Sequence, residues 1–131
     1  MNDYQITPHF RLSEFTQSAT AERLGIDNTP DSTALHNIEL LCRYVLEPIR
    51  QAFGQPIVVN SGYRCRQLNI ALGGAKRSFH LSGRAADIRA TNVSDNARLK
   101  AVIDDLGLHT SELIYEKPAR DGTPRWIHIA I

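Results

Sequence analysis

The chain has 131 residues, enough to bury one ordinary hydrophobic core, and we predict a single domain over residues 1–131. A formal net charge of +1, with 22% charged residues, provides no broad basic face, so charge does not indicate a nucleic-acid partner. The apolar runs are only a few residues long, far short of the roughly 20 that a membrane-spanning helix requires, so no membrane insertion is expected.

Two helices are predicted in the first half of the chain. A short one begins at Ser13 and ends in the segment rich in Gly, Asn and Pro that follows. A longer one begins at Asp31 or Ser32 and ends at Gly54. Pro48 lies inside the longer helix and predicts a kink or a break there, because proline lacks an N–H. Its apolar positions recur at intervals of three and four residues: Leu35, Ile38, Leu41, Cys42, Val45, Leu46, Ile49 and Phe53.

Two further helices are predicted in the second half. A brief one spans residues 65–72, with Leu68 and Leu72 facing inward. The other begins at Ser94 as N-cap and ends at Gly107. Its predicted buried positions are Ala97, Leu99, Val102, Ile103 and Leu106.

Strands are predicted where apolar residues alternate with polar ones or run together between turns. Residues 56–60 form a short buried strand, followed by a turn at 61–64 that directs side chains out of the sheet. Residues 84–90 alternate between two faces, and residues 112–116 and 125–131 form a terminal hairpin. The predicted fold class is α+β, with a small, mostly antiparallel sheet and helices packed against it.

The segment from Ser78 to Asp87 carries the clearest functional signal. His80 and Asp87 lie seven residues apart around Gly83, which permits a tight turn. Asp87 falls in the middle of a predicted strand, where a carboxylate is costly unless a cation or several donors satisfy it. Imidazole and carboxylate are groups that zinc accepts, and a catalytic zinc uses three protein ligands. We therefore predict a metal site formed by His80 and Asp87, with His128 as the third ligand.

The terminal hairpin supplies two candidates for an acid/base group. If Glu116 pairs with Trp126, then Glu116 and His128 lie on the same face of the sheet. Glu116 is the predicted general base, which takes a proton from water and delivers one to the leaving amine. Glu112 is the competing candidate, because it lies on the same face of its strand.

Two further side chains suit substrate binding. Arg64 follows the Ser-Gly-Tyr turn, and a guanidinium placed by a turn can hold a carboxylate or an oxyanion. Ser78, two residues before His80, can donate a hydrogen bond to the same end of the substrate.

Simpler interpretations of these residues remain open at this point. His128 is compatible with a hydrogen-bonded core histidine, and Asp87 with a turn cap or an ion pair to Arg89. Arg64 and Glu116 are compatible with ordinary surface side chains. The convergence of two imidazoles and one carboxylate favours the metal site over these alternatives.

Several motifs resemble the zinc D-Ala-D-Ala carboxypeptidase family, which includes phage endolysin-type peptidases that cut peptidoglycan stem peptides. The likeness covers nearly the whole chain and is closest to the short, single-domain branch of that family. The motifs are Phe10-x-Leu-Ser-Glu14-Phe15, Asn28-x-Pro30, Ser61-Gly-Tyr-Arg64, Leu68-Asn69, Gly73-Gly74, Ser78-x-His80-x-x-Gly83-x-Ala85-x-Asp87 and Trp126-x-His128.

The resemblance implies a fold like that of Hedgehog-type proteins and DD-peptidases. It implies one zinc ion per chain, bound by His80, Asp87 and His128. It also implies that Arg64 and Ser78 contact the substrate.

The acid/base group implied by the resemblance is Glu116, in the sequence Leu-Ile-Tyr-Glu. Several members place an acidic catalyst three residues before the last histidine ligand. Arg125 occupies that position here, so Glu116 has to reach the site from the neighbouring strand.

The leading hypothesis is therefore a zinc peptidase that hydrolyses amide bonds in peptidoglycan stem peptides, as a D-Ala-D-Ala carboxypeptidase or an endopeptidase. The alternative is a non-catalytic, zinc-containing module that binds the cell wall or another partner. We expect a monomer. The first residues lack a basic flank followed by an apolar segment, which predicts a protein that is cytoplasmic as synthesised and acts on the wall after release or export.

Overall fold

The sheet that carries the predicted site residues has four antiparallel strands. The structure is a computed structural model that describes residues 2–131, and its α+β class confirms the sequence-based expectation. In chain order the strands are β1 (Gln5–Thr7), β2 (Phe10–Arg11), β3 (Ile57–Ser61), β4 (Ala85–Ala90), β5 (Glu112–Glu116) and β6 (Trp126–Ala130). The large sheet has the order β3-β4-β6-β5, and β1 and β2 form a separate pair.

Helices pack against the large sheet. In the chain they come before its first strand or between successive strands. They are α1 (Ser13–Thr16), α2 (Ala19–Leu24), α3 (Ser32–Leu41), α4 (Glu47–Phe53), α5 (Arg66–Ala71) and α6 (Asn96–Leu106). Short 3₁₀ turns cover Phe79–Ser82 and Val93–Asp95. Within residues 2–131, every helix is too short or too polar to span a bilayer.

One face of the large sheet forms the hydrophobic core together with α3, α4 and α6. Along β4, Ala86 and Ile88 are fully buried in this core. Asp87 lies between them in the chain and therefore points to the other face. The alternation predicted for residues 84–90 thus assigns the carboxylate to the face away from the core.

The segment with the long apolar stripe, residues 32–53, forms one continuous helix. Its middle, Cys42–Leu46, is a π-helical turn, in which the Glu47 N–H donates to the carbonyl of Cys42, five residues earlier. Pro48 is the second residue of α4, directly after this turn, and has no N–H to donate to a carbonyl of the preceding turn. The predicted disturbance at Pro48 takes the form of this widened turn.

Several local expectations are wrong. The helix cap is Asp95 rather than Ser94, because a 3₁₀ turn precedes α6. Leu72 and Leu106 are exposed, at 44% and 38% of their surface, because each lies at the end of its helix. Ala97 also faces solvent.

The N-terminal region is more ordered than its composition suggests. Residues before Ser13 form the β1–β2 pair, and the single short helix predicted after Ser13 is two helices, α1 and α2. Short polar segments lack the periodicity that identifies such elements in the sequence.

Asn96 is the buried polar side chain that joins α6 to the sheet. Its Oδ1 accepts a hydrogen bond from the N–H of Ala90, at 2.8 Å. Its Nδ2 donates to the carbonyls of Pro124 and Arg125, each at 3.0 Å. These bonds connect the end of β4 to the segment that enters β6.

The variant Asn96→Ala is expected to lower the free energy of unfolding by about 3 kcal/mol, because two buried backbone groups and one part-buried group lose their partner. Urea unfolding followed by circular dichroism measures this difference. Asn92→Ala is the matched control: the Asn92 side chain is exposed, and its removal should change stability by no more than about 0.5 kcal/mol. Equal effects of the two substitutions would contradict the role given to Asn96.

Candidate metal centre

Three side chains from different parts of the chain meet on the polar face of the large sheet. They are His80, in the 3₁₀ turn before β4, Asp87 in β4 and His128 in β6. Their ligand atoms all lie within 4.8 Å of one another. Asp87 and His128 are direct cross-strand partners, and His80 is brought over them by the turn at Gly83.

The ring of His80 is held by the backbone around it. Its Nδ1 lies 2.6 Å from the carbonyl oxygen of Gly62. Because a carbonyl only accepts, Nδ1 donates, and a neutral ring then has a lone pair at Nε2. This Nε2 is buried and makes no hydrogen bond with any group in residues 2–131.

The conformation of the turn that carries His80 depends on two neighbours in the sequence. Ser78 caps the turn, because its Oγ accepts a hydrogen bond from the His80 N–H at 3.2 Å. Gly83 ends the turn with a positive φ of 75°. A side chain at position 83 would meet the carbonyl oxygen of Ala34 at 2.4 Å, so only glycine fits there.

The two carboxylate oxygens of Asp87 face different partners. Oδ1 lies 2.9 Å from Nδ1 of His128 and 3.3 Å from Nε2 of His80. Oδ2 lies 3.7 Å from the guanidinium of Arg64. Burial alone would raise the pKa of Asp87, but the hydrogen bond from His128 and the adjacent His80 ring outweigh burial and hold it well below its usual range.

His128 lies between two carboxylates. Its Nδ1 contacts Asp87, and its Nε2 lies 2.8 Å from Oε1 of Glu112. The hydrogen bond to Asp87 raises the pKa of His128, partial burial opposes the shift, and the bond to Glu112 adds to it. The ring thus occupies a site that attracts positive charge.

These donor atoms fit a divalent metal such as zinc. Two ligands of a tetrahedral zinc ion lie about 3.4 Å apart, given bonds of about 2.0–2.2 Å. The separation between Asp87 Oδ1 and Nε2 of His80, 3.3 Å, is near that value, whereas the 2.9 Å between Asp87 Oδ1 and Nδ1 of His128 is a hydrogen-bond distance. At Nε2 of His80, a lone pair faces a carboxylate oxygen with no hydrogen between them, an arrangement that a cation would stabilise. A fully compensated core histidine has no such unpartnered nitrogen.

Arg64 borders this cluster rather than pointing into solvent. Its Nε donates to the Oγ of Ser61 at 3.0 Å, and one terminal nitrogen lies 3.4 Å from the side-chain oxygen of Asn69. Burial lowers the pKa of the Arg64 guanidinium, and the facing Asp87 carboxylate opposes that shift. A β-bulge in β3 contributes to this geometry, because it places Ser61 instead of Asn60 opposite Asp87.

The interpretation of Asp87 as an ion-pair partner of Arg89 is wrong. The Arg89 guanidinium instead donates to the side chain of Asn60 and to the carbonyls of Ala90 and Thr91. Arg89 therefore contributes no charge compensation to the cluster.

Asn28 is a residue whose role near the site was not deduced from the sequence. Its Nδ2 donates to the carbonyls of Thr16 and Tyr63, and its Oδ1 accepts from the N–H of Cys65. This side chain therefore fixes the turn that carries Gly62 and Arg64. The only sequence signal was its motif with Pro30, which does not reveal contacts made across 35 residues.

The hairpin register assumed from the sequence is confirmed: Glu116 pairs with Trp126. His128 is opposite Ile114, so Glu112 and Glu116 lie diagonally on either side of it, on the same face. Glu112 contacts His128, as described above. Glu116 is partly buried, and its carboxylate has no hydrogen bond or ion pair with another side chain in the described part of the chain.

Comparison with known proteins identifies a family that the chain matches. The model of the family described as Peptidase M15 matches residues 8–130. A search of curated proteins found no match.

The contact between His80 and Gly62 is tested by Gly62→Ala. A Cβ at position 62 would lie 2.7 Å from the Cα and the carbonyl oxygen of Phe15, so the turn has to move and the Gly62 carbonyl leaves His80. We expect zinc affinity, measured by competition with a chromophoric chelator, to fall about 10–100-fold, as when other partners of ligating histidines are removed.

The control for this substitution is Gly54→Ala. Gly54 also resists substitution, with a φ of 72°, but a Cβ there meets nothing within 4 Å. It should cost about 1 kcal/mol of stability and leave zinc affinity unchanged. A Gly62→Ala variant that binds zinc as wild type does would show that the Gly62 carbonyl does not orient His80.

Proposed function

The chain belongs to peptidase family M15, the family of the zinc D-Ala-D-Ala carboxypeptidases, and from this premise we propose that it is a zinc peptidase that hydrolyses amide bonds in peptidoglycan stem peptides. The observation that carries the proposal is the convergence of His80, Asp87 and His128, with a buried and unpartnered nitrogen on His80.

The proposed metal ligands are His80 through Nε2, Asp87 through a carboxylate oxygen and His128 through Nδ1, with one zinc ion per chain. Three protein ligands leave a coordination position free, which is the arrangement of a catalytic rather than a structural site. When bound, zinc supplies Lewis acidity, which polarises a scissile carbonyl and lowers the pKa of water. The negative charge of Asp87 would attract such a cation, and the fixed ring of His80 would direct its Nε2 lone pair at it.

Glu116 is the proposed acid/base group. Its carboxylate is not engaged by another side chain of the described residues, and it lies on the same sheet face as His128. A free carboxylate can accept a proton from the attacking water and then donate it to the leaving amine. Glu112 differs, since its carboxylate already accepts from His128.

Arg64 and Ser78 are the proposed substrate contacts. Arg64 keeps donors that neither Ser61 nor Asn69 uses, and its positive charge suits a substrate carboxylate or the developing oxyanion. The hydroxyl of Ser78 accepts from the His80 N–H, which leaves its own hydrogen available to a substrate oxygen.

The substrate class is proposed from the family and not from the pocket walls. A terminal D-Ala-D-Ala bond and an internal bond, such as that between L-Ala and D-Glu, both fit the proposed chemistry. A wall peptide lies outside the bacterial membrane, so the proposal includes action after release or export, by a monomer.

Metal dependence and bond specificity are tested together by digesting purified peptidoglycan and analysing the products by mass spectrometry. The zinc-loaded protein is expected to release D-Ala or shorter peptides, and a chelator should abolish release, since the three proposed ligands then hold no cation. Readdition of zinc should restore it. Product release that is unaffected by complete removal of the metal would refute the proposal.

The variant Glu116→Gln separates a peptidase from a non-catalytic zinc module. Glutamine keeps the size of the side chain but cannot exchange a proton, so turnover is expected to fall about 10²–10⁴-fold while zinc remains bound. Hydrolysis rate and zinc content of the same preparation provide the measurement. If the wild type binds zinc but cleaves no wall peptide under any condition, the binding module becomes the better description.

A further inference from the structure

The two strands that flank β6 each present a carboxylate to His128. Asp87, directly opposite in β4, contacts Nδ1, whereas Glu112, diagonally placed in β5, contacts Nε2 at 2.8 Å. The two ring nitrogens of an imidazole point in different directions. Nδ1 is the nitrogen that contacts Asp87, so the Glu112 contact at Nε2 is on the other side of the ring from that carboxylate.

His80 shows the same arrangement with a different partner. Its Nδ1 is held by the carbonyl of Gly62, at 2.6 Å, and its Nε2 faces the cluster. In both histidines, then, an oxygen acceptor holds the nitrogen that points away. Such partners fix which nitrogen carries the hydrogen and which carries the lone pair.

We propose that Glu112 is a positioning residue for His128 and not the acid/base group. Its carboxylate accepts a hydrogen bond from the Nε2–H of His128. When a metal ion takes the place of the proton on Nδ1, this bond keeps the Nδ1 lone pair directed at the site shared with Asp87 and His80. This inference rests on the proposed function in one respect, that a metal ion is held there.

Two similar glutamates thus have different roles. Glu112 and Glu116 occupy equivalent diagonal positions on either side of the Ile114–His128 pair, so spacing along the strand does not distinguish them. Contact does: Glu112 is bound to the ring, and Glu116 is not. A carboxylate that orients a metal-ligating histidine is poorly suited to transfer protons, because each protonation would break the hydrogen bond that orients the ring.

The test compares Glu112→Ala, Glu112→Gln and Glu116→Gln. Glutamine at position 112 retains an oxygen acceptor, whereas alanine removes it. We expect Glu112→Ala to weaken zinc binding about 10–100-fold, and Glu112→Gln to remain within a few-fold of wild type in both zinc affinity and turnover per bound zinc. Glu116→Gln, the matched control, should bind zinc as wild type does and lose turnover.

Zinc affinity is measured by competition with a chromophoric chelator, and the geometry of the site by the visible absorption of the cobalt-substituted protein. The cobalt spectrum should change in Glu112→Ala and be restored in Glu112→Gln, a recovery that general destabilisation would not produce. The side chain of Glu112 is 40% exposed, so these variants should fold, which circular dichroism of the metal-free proteins checks.

Two results would overturn the positioning role. One is a Glu112→Ala variant with wild-type zinc affinity and cobalt spectrum. The other is a Glu112→Gln variant that is fully loaded with zinc but inactive, which would make Glu112 the acid/base group. Failure of the wild-type protein to bind zinc at all is a different outcome, because it would refute the proposed function itself.

Discussion

A partly buried carboxylate in the middle of a sheet is the feature on which the candidate site depends. Asp87 lies in β4 with a hydrogen-bonded strand on either side, and only 15% of its side-chain surface is exposed. Taking an uncompensated charge out of water costs several kcal/mol, so each oxygen needs a partner. His80 and His128 lie beside one oxygen, and Arg64 faces the other. The compensation is incomplete at His80, which is where a metal ion fits.

The loop that follows β3 supports this arrangement from below. The backbone carbonyl of Gly62 in this loop binds Nδ1 of His80, and the side chain of Arg64, two residues later, faces Asp87. Asn28 joins this loop to α1: it makes two hydrogen bonds to the loop, at Tyr63 and Cys65, and a third to the carbonyl of Thr16. Gly62 packs so closely on the backbone of Phe15 that no side chain could be accommodated. The precision of the ligand geometry therefore comes from N-terminal segments that contribute no ligand themselves.

The hairpin of β5 and β6 carries His128 and the two glutamates next to it. It places two carboxylates on the face that carries His128, one in contact with the ring and one free. Orientation of a ligand and transfer of a proton make opposite demands on a carboxylate, because the first requires a constant hydrogen bond and the second requires that bonds form and break. In the proposed division of roles, Glu112 meets the first demand and Glu116 the second.

The sequence by itself determined the fold class, the main helices and strands, and the residue types of the site, because hydrophobic periodicity and ligand chemistry are local properties. It also indicated that Glu116 and His128 share a face. Only the tertiary structure decided which oxygen faces which nitrogen. Glu112 and Glu116 are equivalent in spacing, and the contact of one with His128 depends on ring orientation. The partner of His80, a carbonyl from a distant loop, carries no sequence signal at all, since every residue has a carbonyl and only the fold brings one close.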